Sequence, residues 1–289
     1  MTRTGLIGLG AMGVGMARNL AKVGFLAGVY NRTASKAQSL AGELDVAAFE
    51  TPSDLAAACE LILICVSRDE DLLEMVNAVA QTVKPGAVVV DMSTVSRSTA
   101  QQSAAILAEK QAQFLDAPVS GGVEGAKKGT LAMMVGGNSD TLEKIRPILS
   151  AIAARILHMG AVGSGQATKA VNQIMAAGIN QAVTEALAFG EAQGLPMDKV
   201  IAVVSGGAAG NWFLEHRGPT MMQGTFAPGF KLALHHKDLE ICLAMAENAE
   251  IPIPLAEMTL LNYEQLMDQG FGDEDISALY RLKKSRKFS

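Results

Sequence analysis

The stretch Thr4-Gly5-Leu6-Ile7-Gly8-Leu9-Gly10-Ala11-Met12-Gly13 decides how the rest of the chain is read. A short apolar run ends in a glycine-rich turn, and the turn opens onto the apolar spacing of a helix over 12–22. Each glycine has its own duty in such a strand–turn–helix unit. Gly8 makes the tight turn, Gly10 lets a pyrophosphate approach the backbone, and Gly13 lets the helix pack on the strand. With Leu9, Ala11 and Met12 completing the loop, the helix N-terminus offers unpaired N–H groups and a positive dipole end to phosphates. The expected ligand is therefore a dinucleotide.

Outward from this unit, apolar runs at 4–7, 26–30, 61–65, 87–90, 113–115 and 131–135 read as strands. Helical patterns at 12–22, 34–41, 69–79, 97–110 and 140–151 separate them. Strands alternating with helices predict an α/β fold, a Rossmann-type doubly wound and mostly parallel sheet. Asp91-Met92-Ser93-Thr94 follows one strand, at a carboxyl end of the sheet where ligands of such folds bind. After a last strand at 155–158 the pattern changes. Residues 164–193 form an Ala-rich, Pro-free stretch, a helix of roughly 45 Å at the helical rise. Further helical patterns follow at 198–205, 232–249 and 255–269. The expectation is a dinucleotide-binding domain over 1–162 and an all-α domain over 163–289, joined by the long helix.

Composition narrows the function classes. The 289 residues are 49% hydrophobic and carry a net charge of −5, which gives no bulk attraction to nucleic acid. No apolar stretch reaches the ~18 residues of a membrane span, and glycines interrupt the N-terminal apolar run, unlike a secretory signal. Cys59, Cys65 and Cys242 lie far apart without metal-ligand spacing, so no metal site is expected and a reduced, cytoplasmic protein is. The basic cluster Arg281, Lys283, Lys284, Arg286 and Lys287 reads as a frayed, solvated end.

Several segments carry candidate chemistry. An NAD site places an acid at the end of the second strand; this chain has Tyr30-Asn31-Arg32-Thr33 instead. Arg32 can pair with a ribose 2′-phosphate, assisted by Asn31, Thr33 and Lys36, so NADP is favoured over NAD. In Asp116-Ala117-Pro118-Val119-Ser120-Gly121-Gly122 a serine and two glycines leave backbone N–H groups exposed, which suits a carboxylate as well as an ordinary turn. Gly160-Ala161-Val162-Gly163-Ser164-Gly165 resembles a second nucleotide loop and reads more simply as a hinge. Within the long helix, Lys169, Asn172 and Gln173 share a face among apolar neighbours; the lysine there either snorkels or is held for chemistry.

Together these pieces resemble the β-hydroxyacid dehydrogenase family, which includes 3-hydroxyisobutyrate dehydrogenase and tartronate semialdehyde reductase. The resemblance rests on Gly8–Gly13, Asp116–Gly122, Gly163-Ser164-Gly165-Gln166 followed by Lys169 and Asn172, and Phe230 through His236-Lys237-Asp238-Leu239. It implies hydride transfer between NADP(H) and a short 3-hydroxyacid/semialdehyde pair, with Lys169 catalytic and Asn172 orienting substrate. It further implies that Ser120, Gly121 and Gly122 bind the substrate carboxylate, that Lys237 serves the cofactor side, and that Thr94 lies near the nicotinamide ribose. The strand ending Ile64-Cys65-Val66-Ser67 lacks the Leu-Pro or Met-Pro pair common in the family. Asn211 is a candidate for a small polar substrate group, and Trp212 and Phe213 either cap the pocket or pack helices. Candidate substrates are 3-hydroxyisobutyrate or methylmalonate, tartronate, succinic semialdehyde, glyoxylate and serine types. The alternatives are an imine reductase of the same architecture, against which Lys169 argues, and a non-catalytic NADP-binding module. The sparsely charged face of residues 170–193 predicts a homodimer or homotetramer.

Overall fold

The computed structural model describes residues 2–285. The chain divides into two compact units within one long helix, the first ending at Lys169 and the second starting at Ala170.

In the first unit, β1 (Thr4–Ile7), β2 (Leu26–Tyr30), β3 (Ala47–Ala48), β4 (Leu61–Ile64), β5 (Val88–Asp91) and β6 (Gln113–Asp116) form a parallel sheet in the order β3-β2-β1-β4-β5-β6. That is the strand order of a dinucleotide-binding sheet, whose direction of progression reverses beside β1. The helices α1 (Gly13–Lys22), α2 (Ala34–Leu44), α3 (Pro52–Ala58), α4 (Asp69–Val79) and α5 (Arg97–Ala108) connect the strands. Successive residues of one strand enter opposite cores. Leu6, Leu61, Leu63, Val90 and Leu115 pack with Met16, Leu20 and Leu40. Ile7, Ile62, Ile64, Val89 and Phe114 pack with Leu55, Leu72 and Val76. The period-2 alternation of a pleated strand thus makes the sheet two-sided, and nearly every strand position must be apolar.

The far edge departs from simple alternation. Beyond β6 come β7 (Val119–Ser120), α6 (Gly122–Lys128), β8 (Leu131–Gly136), α7 (Ser139–Leu149) and β9 (Ala153–Gly160). Here β8 runs antiparallel to β6 and β7 and parallel to β9. The sequence pattern did not separate β3, α3, β7 or α6. Yet α3 carries a recognisable start: Thr51 accepts the Asp54 N–H at 3.0 Å and Pro52 occupies the first turn.

The long helix α8 (Ser164–Ala192) contributes most of its length to the second unit, with α9 (Met197–Ser205), α10 (Trp212–Met222), α11 (Leu232–Asn248), α12 (Pro254–Asp268), a 3₁₀ turn (Ile276–Leu279) and α13 (Tyr280–Ser285). Ala177, Leu187, Leu214, Leu232, Leu239, Tyr263 and Tyr280 form its core. Helix α10 escaped the sequence pattern because Gly218 and Pro219 interrupt it; its cap is Asn211, which accepts the Leu214 N–H at 2.9 Å. The expected frayed end is corrected for the described residues. Arg281 makes a forked pair with Glu274 and covers the rings of Phe226 and Phe271, each 4.4 Å away. Lys283 reaches Glu185 at 2.8 Å and Lys284 reaches Glu191 at 3.0 Å. Arg286 and Lys287 lie outside the described residues. Among the described residues, no helix is long and apolar enough to cross a membrane.

Candidate active site

Gly8 leaves β1 with φ +97°, a conformation a side chain would strain, and a Cβ there would collide with the Cys65 carbonyl oxygen. A Cβ on Gly13 would collide with the Gly8 carbonyl, whereas a Cβ on Gly10 would meet no described atom within 4 Å. Two glycines are thus demanded by backbone packing, and the third faces open space where a ligand can approach. The α1 N-terminus has no side-chain cap and no acid in its first turn, so its leading N–H groups point to an external anion. These residues fit a dinucleotide pyrophosphate.

The segment after β2 divides its labour. Asn31 accepts the Leu9 N–H at 2.9 Å and donates to the Thr33 carbonyl at 3.2 Å, tying the glycine loop to the end of β2. Arg32 is highly exposed and pairs with Asp71 at 3.2 Å. Thr33 precedes α2 as its cap residue. A cleft of about 410 Å³ between α1 and α2 is lined by Leu9, Arg18, Ser35 and Lys36, among others.

At the carboxyl ends of β5 and β6 two buried acids hold the chain in place. Asp116 accepts N–H groups from Gly163 at 2.7 Å and Gln166 at 2.9 Å, capping the start of α8 from across the sheet. Burial pushes its carboxyl above the ordinary range, against the lowering effect of those N–H groups. The Gly163-Ser164-Gly165 turn therefore wraps a carboxylate of the protein itself. Asp91 accepts the Ser93 N–H at 2.9 Å and faces the Gln166 amide at 3.4 Å. Gln166 also donates to the Ser93 carbonyl at 2.9 Å and accepts the Val95 N–H at 3.3 Å, clamping the loop that carries Thr94. Lys169 stands one turn beyond Gln166 on α8 and is 6% exposed. Ser120 ends β7, and Gly121, at φ +125°, starts α6 with Gly122. The first unit thus ties the start of Lys169's helix to the Thr94 loop and to β6.

In the second unit, Asn172 donates to Gln173 at 2.7 Å, Gln173 donates to Asp238 at 2.6 Å, and Lys237 pairs with Asp238 at 2.8 Å. Two predicted site residues, Asn172 and Lys237, are thereby joined through Gln173 and Asp238. Asn211 spends its side chain on the α10 cap and on the Ala209 carbonyl. Phe213 is buried in the core, while Trp212 is exposed and stacks on His216 with centroids 4.3 Å apart. Sequence reasoning gave no role to Asp91, Asp116, Gln166 or Asp238, because the contacts of Asp91 with Gln166, Asp116 with Gly163 and Asp238 with Gln173 span tens of residues.

Two family profiles cover the chain. The NAD binding domain of 6-phosphogluconate dehydrogenase matches residues 3–160. The NAD-binding domain of NADP-dependent 3-hydroxyisobutyrate dehydrogenase matches residues 163–283. The chain belongs to the β-hydroxyacid dehydrogenase family. The 2-hydroxy-3-oxopropionate reductase of Escherichia coli (strain K12) is 36% identical over 87% of both chains. The 2-(hydroxymethyl)glutarate dehydrogenase of Eubacterium barkeri is 35% identical, over 97% of this chain and 94% of that one. A structure of Mycobacterium tuberculosis 3-hydroxyisobutyrate dehydrogenase with L-serine superposes with a TM-score of 0.90 at 31% identity, over 99% of this chain and 100% of that one. This β-hydroxyacid dehydrogenase is an oxidoreductase that uses a nicotinamide dinucleotide.

Proposed function

We propose that the enzyme interconverts a short 3-hydroxyacid and its semialdehyde, with NADP(H) preferred to NAD(H). The observation that carries the reading is Lys169, a buried lysine on a helix whose start is pinned by Asp116 and Gln166. The bound nicotinamide supplies the two-electron redox chemistry. Lys169 as an ammonium stabilises the developing alkoxide and donates the proton to the substrate oxygen; as an amine it accepts that proton in the oxidative direction. The N–H groups of Ser120, Gly121 and Gly122 hold the substrate carboxylate, which fixes the reacting carbon relative to Lys169. Asn172 orients the substrate oxygen, Lys237 and Thr94 serve the cofactor, and Asn211 acts on the substrate side only as far as its capping duty allows. Arg32, with Asn31 and Thr33 shaping its loop, meets the 2′-phosphate. The relatives named above act on small hydroxyacids or semialdehydes, and L-serine accompanies one of them. Cys59, Cys65 and Cys242 form no disulfide among the described residues, which suits a reducing, cytoplasmic setting, and a homodimer or homotetramer is the expected assembly.

The test is a spectrophotometric panel of 3-hydroxyisobutyrate, L-serine, tartronate semialdehyde, succinic semialdehyde and glyoxylate with both nucleotides. Lys169→Ala is expected to lower kcat by ~10²–10⁴-fold, the usual share of general acid catalysis, with nucleotide affinity unchanged. A Lys169→Ala enzyme within tenfold of wild type, or no turnover of the panel by wild type, overturns the reading.

A further inference from the structure

Gln173 and Asp238 are buried side chains outside the roles assigned above, and they form a directed chain. A carboxylate at neutral pH carries no proton, so both neighbours of Asp238 must donate to it. On one oxygen the donor is Lys237 at 2.8 Å; on the other it is the Gln173 amide nitrogen at 2.6 Å. With its NH₂ turned to Asp238, Gln173 presents its carbonyl oxygen to Asn172, which must therefore donate its own NH₂, at 2.7 Å. Along this chain the amide orientations follow from the charged end.

Gln173 itself cannot slide. Its main-chain carbonyl meets His235 Nε2 at 3.2 Å, and His235 Nδ1 meets the Tyr263 hydroxyl at 3.1 Å. The Gln173 carbonyl can only accept, so Nε2–H donates to it; Nδ1 of the neutral ring then accepts the Tyr263 O–H, and that hydroxyl accepts from Asn180 at 2.8 Å. Burial pushes the Tyr263 hydroxyl far above its ordinary range and keeps this proton in place. The turn of α8 bearing Gln173 is anchored on one side while its amide is oriented on the other.

We propose that Asp238 and Gln173 are positioning residues that set the polarity of Asn172. The charge on Asp238, relayed through one amide, turns the Asn172 oxygen away from Gln173, on the helix that carries Lys169 one turn earlier. The orientation that Asn172 offers to substrate is thereby fixed from Asp238. The same carboxylate fixes Lys237, so one buried acid sets the geometry of two residues. This inference rests on the site reading given above, in which Asn172 orients substrate.

The relay can be reversed without changing its shape. In Asp238→Asn the remaining oxygen stays with the cation of Lys237, and the new NH₂ faces Gln173. Gln173 must turn over, and Asn172 with it. Adding Gln173→Glu places a carboxylate between two NH₂ groups and restores the original polarity of Asn172 at unchanged net charge. Steady-state kinetics with 3-hydroxyisobutyrate, or L-serine if it turns over faster, compare wild type, Asn172→Ala, Asp238→Asn and the Asp238→Asn/Gln173→Glu pair. Nucleotide titration on the same proteins reports the cofactor side. We expect a loss of about tenfold in kcat/KM for Asp238→Asn, the factor equivalent to ~1.4 kcal/mol and the size of one hydrogen bond. Recovery of most of it is expected in the double variant. A costly Asp238→Asn that the double variant does not rescue makes the pair merely structural and overturns the relay. A harmless Asp238→Asn beside a costly Asn172→Ala overturns the relay and leaves the site reading standing. A harmless Asn172→Ala overturns the site reading and the relay with it. If Asp238→Asn fails to fold, Gln173→Met replaces it. The relay then requires a similar loss with no further loss on adding Asn172→Ala, and additive losses overturn it.

Discussion

Arg32 holds its guanidinium on a side chain 79% exposed, in a 3.2 Å pair with Asp71. An ion pair at that exposure contributes about 0–1 kcal/mol, so the guanidinium can leave Asp71 for a 2′-phosphate at little cost, and a forked charge-assisted bond to phosphate is stronger than what it gives up. Its neighbour Asn31 has less freedom, because both ends of its amide hold the glycine loop and the Thr33 carbonyl. On the proposed NADP reading, discrimination between the two nucleotides falls on Arg32 rather than on the segment as a whole. Arg32→Asp should raise the KM for NADP and spare that for NAD, measured with one substrate at saturation. A wild-type enzyme whose kcat/KM favours NAD tenfold, a difference of ~1.4 kcal/mol, contradicts the assignment. Asn31→Ala should differ in kind, weakening both nucleotides, since it releases the loop that receives the pyrophosphate.

The first turn of α8 shows how an element is placed by a residue far from it in sequence. Gly165 sits against the Met134 and Asp116 carbonyls and an Asp116 carboxylate oxygen 2.8 Å from where a Cβ would stand. Gly165→Ala must push the helix start off Asp116, and overpacking of this kind costs about 1–3 kcal/mol. We expect a lowered denaturation midpoint together with a lowered kcat, because Lys169 rides on the next turn; full stability and activity would show that the turn yields freely. The strands of the first unit were legible in sequence because burial on both faces makes them continuous apolar runs, such as Leu61–Ile64. Residues 164–193 gave away α8 by being rich in Ala and free of Pro, whereas α10 hid behind Gly218 and Pro219. The candidate site was legible where its proposed residues are close in sequence: the glycine loop, and Lys169 with Asn172 on one helix face. It was illegible where a side chain acts across the fold, as when Asp116 meets Gly163, 47 residues away, or Gln173 meets Asp238, 65 away. Periodicity reports which face an element buries and carries no record of which buried acid caps which helix.

At the scale of the whole molecule, the second unit leaves an apolar face uncovered. On α8, Val171 and Met175 stand one turn apart and are 58% and 61% exposed. On α12, Leu255, Met258 and Leu261 follow at helical spacing, with Leu261 66% exposed. The two rows belong to one surface, since a Cβ on Gly178 of α8 would lie 3.7 Å from Leu255. A contiguous patch of large aliphatic side chains is unusual on a monomer and marks an interface. A two-fold pairing of identical patches is the simplest closed way to cover it, each copy burying the other's α8 and α12. Static light scattering at micromolar concentration should thus report about twice 30.2 kDa or a higher even multiple. Leu261→Glu places a charge on the patch, at its most exposed leucine, without touching the core, so the fold should survive while the mass falls toward 30.2 kDa. A wild-type particle of 30.2 kDa would contradict the assembly outright. A Leu261→Glu variant that keeps the wild-type multimer mass would move the interface to another face, such as the one bearing Phe189 and Val203 on α8 and α9.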